Sequence, residues 1–277
     1  MSDHVHRQAL IAAVFFSFTS SLFLFALPTA ASEKVGEAVP PAKAADQELL
    51  AASDLFAAAP AEFRLEVEVR QGADARGMAL EIWRRGEDLA LVRLLAERDR
   101  GKFLLRRDRE LYFIAPGSAR PVKLAPSYRL QGAALDELLG LRLTRDYRID
   151  GVSEGGGVVT FDLVAKDKGA AAPRLRWVVS RARRVALRAD LQTNDGKTLR
   201  VIDFTEWSDS GRGVPRRMVV KEVLRGGTPL TLLFGVLEAR PVALELFDLE
   251  SGAARASLPP ATGAAPARSG NAEPKAP

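Results

Sequence analysis

Phe63-Arg64-Leu65-Glu66-Val67-Glu68-Val69-Arg70 is the stretch that decides the fold. Apolar and charged residues alternate without a break, the period of two that buries one face of a β-strand and wets the other. The pattern continues downstream. Gln71 to Gly77 is a turn, and Met78, Leu80 and Ile82 form the apolar face of a second strand. Arg84 to Asp88 turns again, and Leu89 to Leu95 is a third strand with less alternation. Lys102–Arg106 and Glu110–Ile114 pair around Arg107–Arg109; Pro116-Gly117 interrupts the ladder and Arg120–Leu124 resumes it.

Helical spacing occurs twice. Asp46 caps a short helix carrying Leu49, Leu50 and Phe56, with Ala52 and Ser53 on the same side. Ser127–Leu143 places Leu135, Leu138 and Leu139 close to helical spacing. Strands then return at Val158–Ala165, Leu175–Ser180, Arg183–Thr193, Lys197–Thr205, Met218–Leu224 and Pro229–Leu237. Asn194-Asp195-Gly196 is the strongest hairpin signal. The expectation is a mainly β protein. About 10–11 short antiparallel strands in meander order make a strongly curved sheet or open β-barrel, with a short helical lid across its mouth. The interior of such a sheet is either solid core or cavity, and the pattern allows both.

The ends read differently. Ala9–Leu27 is uncharged, longer than the usual signal-peptide core and near the minimum for spanning a bilayer. Pro28 and the small residues Thr29, Ala30 and Ala31 follow, which favours a cleaved signal peptide over residues 1–31 above an uncleaved anchor. Residues 32–45 then form a flexible leader, 46–250 the folded domain and 251–277 a disordered tail rich in Ala, Pro, Gly and Ser. The expected location is the periplasm.

Composition excludes most catalysis. The 277-residue chain has no cysteine, hence no thiolate nucleophile, disulfide or Cys-based metal site. Its two histidines, His4 and His6, lie inside the export segment, so the exported protein has no imidazole for a triad, a general base or a metal. Gly155-Gly156-Gly157 precedes a strand rather than a helix and is a turn, not a phosphate loop. A lipid hydrolase using a Ser-Lys pair stays open as a third, less favoured reading beside a carrier and a structural or regulatory envelope domain, but no strand–turn–helix elbow supports one. No catalytic residue, metal or cofactor is expected. The net charge of +5 resides in the exported part, where anionic lipid surfaces or acidic protein faces, rather than nucleic acid, are the partners to expect.

Three segments carry a family likeness: Gly101-Lys102-Phe103-Leu104-Leu105, then Leu111-Tyr112-Phe113-Ile114-Ala115-Pro116, then Arg120-Pro121-Val122-Lys123-Leu124-Ala125-Pro126. Arg129-Leu130-Gln131-Gly132, Leu163-Val164-Ala165-Lys166, Arg176-Trp177-Val178-Val179, Asp195-Gly196-Lys197 and Val214-Pro215-Arg216-Arg217-Met218 extend it. In order and spacing these resemble the outer-membrane lipoprotein-sorting proteins, relatives of the periplasmic carrier LolA, over Asp54 to Leu237. The resemblance implies a curved, open LolA/LolB-like barrel with a helical lid and a hydrophobic cavity for the acyl chains of lipoproteins or lipids. It also implies an inner-membrane transporter and an outer-membrane acceptor as partners. Arg184-Val185-Ala186-Leu187 departs from it where the family often has proline, and aromatic residues are sparse at 7%.

Alternation puts Phe63, Leu65, Val67, Leu80, Ile82, Phe161, Leu163 and Leu191 on the apolar faces of their strands; the resemblance turns those faces toward the acyl-chain cavity, and a closed barrel would make them core. Trp83 and Trp177 could line the cavity, but ordinary packing is favoured, with Trp83 out of phase and on the opposite face. Arg106, Arg107 and Arg109, extended by Arg120 and Lys123, form a basic cluster that either docks an acidic partner or lipid headgroups, or simply solvates a strand edge.

Overall fold

The computed structural model describes residues 44–259 except 73–76, 119, 126–127, 131, 209–213 and 225. The segment expected as a signal peptide, most of the expected leader and residues 260–277 lie outside the described residues.

The alternating stretch is β1 (Glu62–Gln71), and its neighbour β2 (Met78–Arg85) pairs Leu65 with Ile82 and Val67 with Leu80. β3 (Leu89–Leu94), β4 (Phe103–Arg107), β5 (Glu110–Ile114) and β6 (Val122–Leu124) follow as a meander. A two-stranded ribbon, β7 (Arg129–Leu130) and β8 (Ala133–Ala134), leads into β9 (Tyr147–Gly155) through the helices described below. The second meander is β10 (Val158–Ala165), β11 (Arg174–Ser180), β12 (Val185–Gln192), β13 (Thr198–Trp207), β14 (Pro215–Glu222) and β15 (Leu230–Phe234), with β16 (Glu238–Ala239) last. β15 pairs antiparallel with β1, Val67 opposite Phe234, which joins the two meanders into one sheet. Its order is β6-β5-β4-β3-β2-β1-β15-β14-β13-β12-β11-β10-β9, with β16 also on β1. Among the described residues nothing joins β6 to β9, so the sheet curves without closing.

Helix α1 (Ala44–Ala52) precedes the sheet; α2 (Leu135–Leu139) and α3 (Leu143–Asp146) lie between β8 and β9. α1 begins before Asp46, which sits in its first turn instead of capping it. Phe56 falls beyond its end at φ +67°. The helix expected over Ser127–Leu143 is confined to α2 and α3, because Gly132 at φ +91° turns the chain into the β7–β8 ribbon.

The fold class matches the expectation, but among the described residues the main sheet has 14 strands, not 10–11. β9 escaped the period-of-two reading for a physical reason. Asp162 pairs with Gly151 but Leu163 with Ile149, so one residue is bulged out and the phase of Tyr147 and Ile149 does not carry on to Val152. The C-terminal expectation also changes. After β16 a strap of chain forms a short 3-10 turn, Leu244–Phe247, and helix α4 (Gly252–Ala256). Residues 251–259 are therefore structured, because Leu246, Phe247, Leu249 and Leu258 have an apolar surface to cover.

That surface is the convex face of the sheet. Successive residues of a strand point to opposite sides, and in β3–β5 both sides are buried. Ala90, Val92, Leu104 and Leu111 belong to the concave core, while Leu91, Phe103, Leu105 and Ile114 join Trp83 and the strap in a second core outside. The weak alternation of Leu89–Leu95 was the sign of a strand covered on both faces.

Candidate functional site

The eight residues assigned to the apolar faces all fall on the concave side, in one continuous core, and none is more than 7% exposed. They pack together with Leu49 and Leu50 of α1, Leu138 and Leu139 of α2 and Leu143 of α3, so the short helices close the mouth over the sheet. Trp177 lies in the same core, edge-on to Phe204 at 5.4 Å. Its Nε1 donates to Ser53 Oγ at 2.9 Å, and that hydroxyl donates to Leu50 O at 2.9 Å, which ties the end of α1 to the sheet. Trp83 takes the outer face, as its phase implied.

The seam between lid and sheet is polar. Arg84 follows Leu80 and Ile82 in phase and so points inward, where Nη1 donates to Leu139 O at 3.1 Å. Its guanidinium lies 5.3 Å from the Phe56 ring centroid and 5.8 Å from that of Phe63, and those two rings stack at 5.5 Å. Gly140 ends α2 at φ +87°; a Cβ there would lie 3.2 Å from Phe56 and 3.3 Å from Leu55 O, so a side chain would press the lid segments apart. On the far wall Arg200, in phase with Ile202 and Phe204, forms a buried ion pair with Glu137 of α2 and reaches Glu222. The other Glu137 oxygen accepts the Ala134 N–H at 2.9 Å, holding the start of α2. Burial pushes the Glu137 carboxyl up to about 8, against the pull of the Ala134 N–H and of the nearby Arg129.

Asp54, between α1 and β1, accepts the Leu143 N–H at 2.9 Å and so joins α1 to α3. Its second oxygen is buried without a partner. Burial pushes its pKa up to about 7, against the pull of that hydrogen bond and of Arg84. A cavity of about 370 Å³ opens at this seam, lined by Asp54, Phe56, Phe63, Arg84, Leu139 and Arg142.

The basic cluster does not form one surface. Arg106 shares the inward phase of Leu104 and is only 5% exposed, so it cannot dock a partner from outside. Nη2 donates to Glu87 O at 3.0 Å, and burial, with Arg84 nearby, lowers its pKa to about 10. Arg107 is exposed. Arg109 reaches Asp146 of α3 at 2.9 Å and Asp167 at 2.6 Å. Lys123 pairs with Glu110 at 2.5 Å on β5, and Arg120 is exposed. Arg84, Asp54, Glu137 and Arg200 were not singled out from the sequence; charged residues in the inward phase of apolar strands were the available signal for the two arginines. Among the described residues no group of three Asp, Glu, His or Cys side chains could hold a metal ion.

An unclosed, strongly curved antiparallel sheet with a helical lid across its concave face is the LolA-like architecture, and the chain has it. A LolA superfamily protein from Nitrosomonas europaea superposes with a TM-score of 0.62 at 17% identity, covering 74% of this chain and 96% of that one. A DUF1329 family protein from Desulfovibrio piger gives 0.56 at 14% identity, covering 69% and 90%. A domain from Vibrio parahaemolyticus described as outer membrane lipoprotein-sorting gives 0.56 at 15%, covering 73% and 94%. The likeness is one of fold. No family model and no curated protein matches the sequence.

Proposed function

We propose that the chain is a non-enzymatic carrier of the outer-membrane lipoprotein-sorting kind. It is exported to the periplasm, where it shields the acyl chains of lipoproteins or lipids on their way toward the outer membrane. The observation that carries this reading is the construction of the cover. An apolar concave face on an unclosed sheet is roofed by three short helical elements, joined to the sheet through buried polar groups. Lifting the lid exposes continuous apolar surface, and an acyl chain gains about 25 cal/mol for each Å² of apolar surface removed from water, with no directional chemistry needed. The polar seam suits a cover that detaches, since water can replace its hydrogen bonds. An inner-membrane donor and an outer-membrane acceptor would then be the partners. Arg107 and Lys123, both exposed, stay available for docking.

One observation favours a second reading. With the lid down, Leu65, Leu80, Phe161 and Leu163 are packed as a solid core, the arrangement expected of a structural or regulatory envelope domain acting only through its surface. Native mass spectrometry of the protein purified from its own envelope separates the two. The carrier reading expects a retained mass that dissociates as a lipid or lipopeptide; preparations consistently at the bare polypeptide mass favour the filled domain.

A further inference from the structure

The strap that covers β3–β5 leaves a cleft of about 1140 Å³ between itself and the ends of these strands, on the side of the sheet away from the lid. Its apolar part is made by Phe103 and Ile114 from the sheet and Leu249 and Leu258 from the strap. Arg93, Arg100, Arg120 and Arg255 line it against two carboxylates, Glu97 and Glu250. These four cations are not equivalent. Arg100 pairs with Glu97 at 2.6 Å. Arg255 is only 4% exposed; it donates to the carbonyls of Leu246, Asp248 and Leu249, and no carboxylate pairs with it among the described residues. Carbonyls satisfy its N–H groups and leave its charge uncompensated in a poorly solvated place. Arg93 donates to Pro259 O at 2.8 Å and meets Glu81, while its Nε is buried without a partner. Arg120 is exposed and in no ion pair among the described residues.

We propose that this cleft is a second binding site, independent of the concave face, for a single amphiphile with a phosphate or carboxylate head. The head sits among Arg93, Arg120 and Arg255, and the chain lies over Phe103, Ile114 and Leu258. Two features select a lipid molecule over an acidic peptide. Pockets for drug-sized ligands run to about 300–1,000 Å³, so the cleft has room for a chain as well as a head. And β3, β4 and β5 are each paired on both sides, so no strand edge is free there to receive an extended peptide.

The test is calorimetric titration of the whole protein with dodecyl phosphate below its micelle concentration. Dodecyl maltoside, inorganic phosphate and a hexaglutamate peptide are the other arms. Arg120 makes no ion pair, so Arg120→Glu should melt with wild type while its affinity for dodecyl phosphate falls at least about tenfold. Leu163→Phe, on the concave face, should keep the Arg120-dependent part of this binding whatever it loses at the concave face. Dodecyl maltoside, which has no anionic head, should bind Arg120→Glu as it binds wild type, and inorganic phosphate and the peptide, which have no alkyl chain, should bind far more weakly. Affinity unaffected by Arg120→Glu, or lost in Leu163→Phe instead, would move the binding to the concave face and overturn the proposal while leaving the carrier reading intact. Equal binding of inorganic phosphate or of the peptide would make the site one for ions or acidic segments, and no binding of dodecyl phosphate would remove it altogether.

Discussion

The two halves of the sheet solve the same problem differently. In β10–β13 one face is buried: Val159, Phe161, Leu163, Leu175 and Trp177 point into the core, and Arg176 and Arg188 point to water. In β3–β5 both faces are buried, the concave one beneath the lid and the convex one beneath the strap. The two covers are also joined differently. The strap is held chiefly by apolar contact through Val242, Leu246 and Phe247, whereas the lid seam contains Asp54, Arg84, Glu137 and Arg200. Hydrogen bonds also tie the strap's ends, from Arg85 and Arg93 to the carbonyls of Val242 and Pro259 and from the Val242 N–H to Glu62, but its middle is apolar contact, which water does not replace as it replaces ion pairs and hydrogen bonds. This difference is why the lid, and not the strap, is the cover assigned to move.

The largest effect should come from the outer core. Leu105→Ala, in the buried convex face, should cost about 2–5 kcal/mol in urea denaturation, because the strap cannot fully collapse into the gap. Val178→Ala, outward-facing in the one-sided half, should cost less than about 1 kcal/mol. Equal losses would erase the distinction between the halves.

Amide exchange sharpens the contrast between covers. Amides of Leu49–Ser53 and Leu143–Asp146 should exchange through an opening a few kcal/mol cheaper than global unfolding, while those of Leu91–Leu94 and Phe103–Arg107 should exchange only with it. Lid amides as protected as the strap-covered strands would argue against a detachable lid.

Asp54 adds a pH dependence to the seam. Its folded pKa is raised from 3.8 to about 7, so its contribution favours the folded state below about pH 4 and is lost as pH climbs through about 7. Asp54→Asn should therefore gain on the order of 4 kcal/mol over wild type at pH 8, and the gain should shrink toward zero near pH 4. Denaturation midpoints measured across that range check it; a variant less stable than wild type at pH 8 would show that the ionised carboxylate is needed for the bond to Leu143.

The smallest effect belongs to the exposed edge. The Lys123–Glu110 pair is more than half exposed on the lysine side, and Lys123→Ala should shift stability by no more than about 0.5 kcal/mol.

The same comparison explains what was legible beforehand. Where one face is wet, period-of-two alternation places side chains correctly, and all eight concave residues from Phe63 to Leu191 fall where that period puts them. Where both faces are buried the period vanishes, so the outer core and the strap that makes it went unread, and 251–259 looked like tail. The bulge at Asp150 hid β9 in the same way, by breaking phase. Arg106 was misplaced because it was grouped by charge with Arg107 and Arg109 instead of by phase with Leu104. The lid seam depends on long-range meetings, Asp54 with Leu143 and Glu137 with Arg200, that no local pattern encodes.

The central claim is that the concave face opens to take an acyl chain, and titration of the wild-type protein with a fluorescent acyl-chain probe that has no anionic head tests it most directly, with Leu163→Phe alongside. Leu163 is 1% exposed in a packed core, so the variant should lose about 1–3 kcal/mol of stability as well as room for the chain. The account predicts saturable binding by wild type and weakened binding by Leu163→Phe at temperatures where both are folded. Wild-type protein that binds no probe, with Leu163→Phe merely melting earlier, would contradict it and leave a filled barrel.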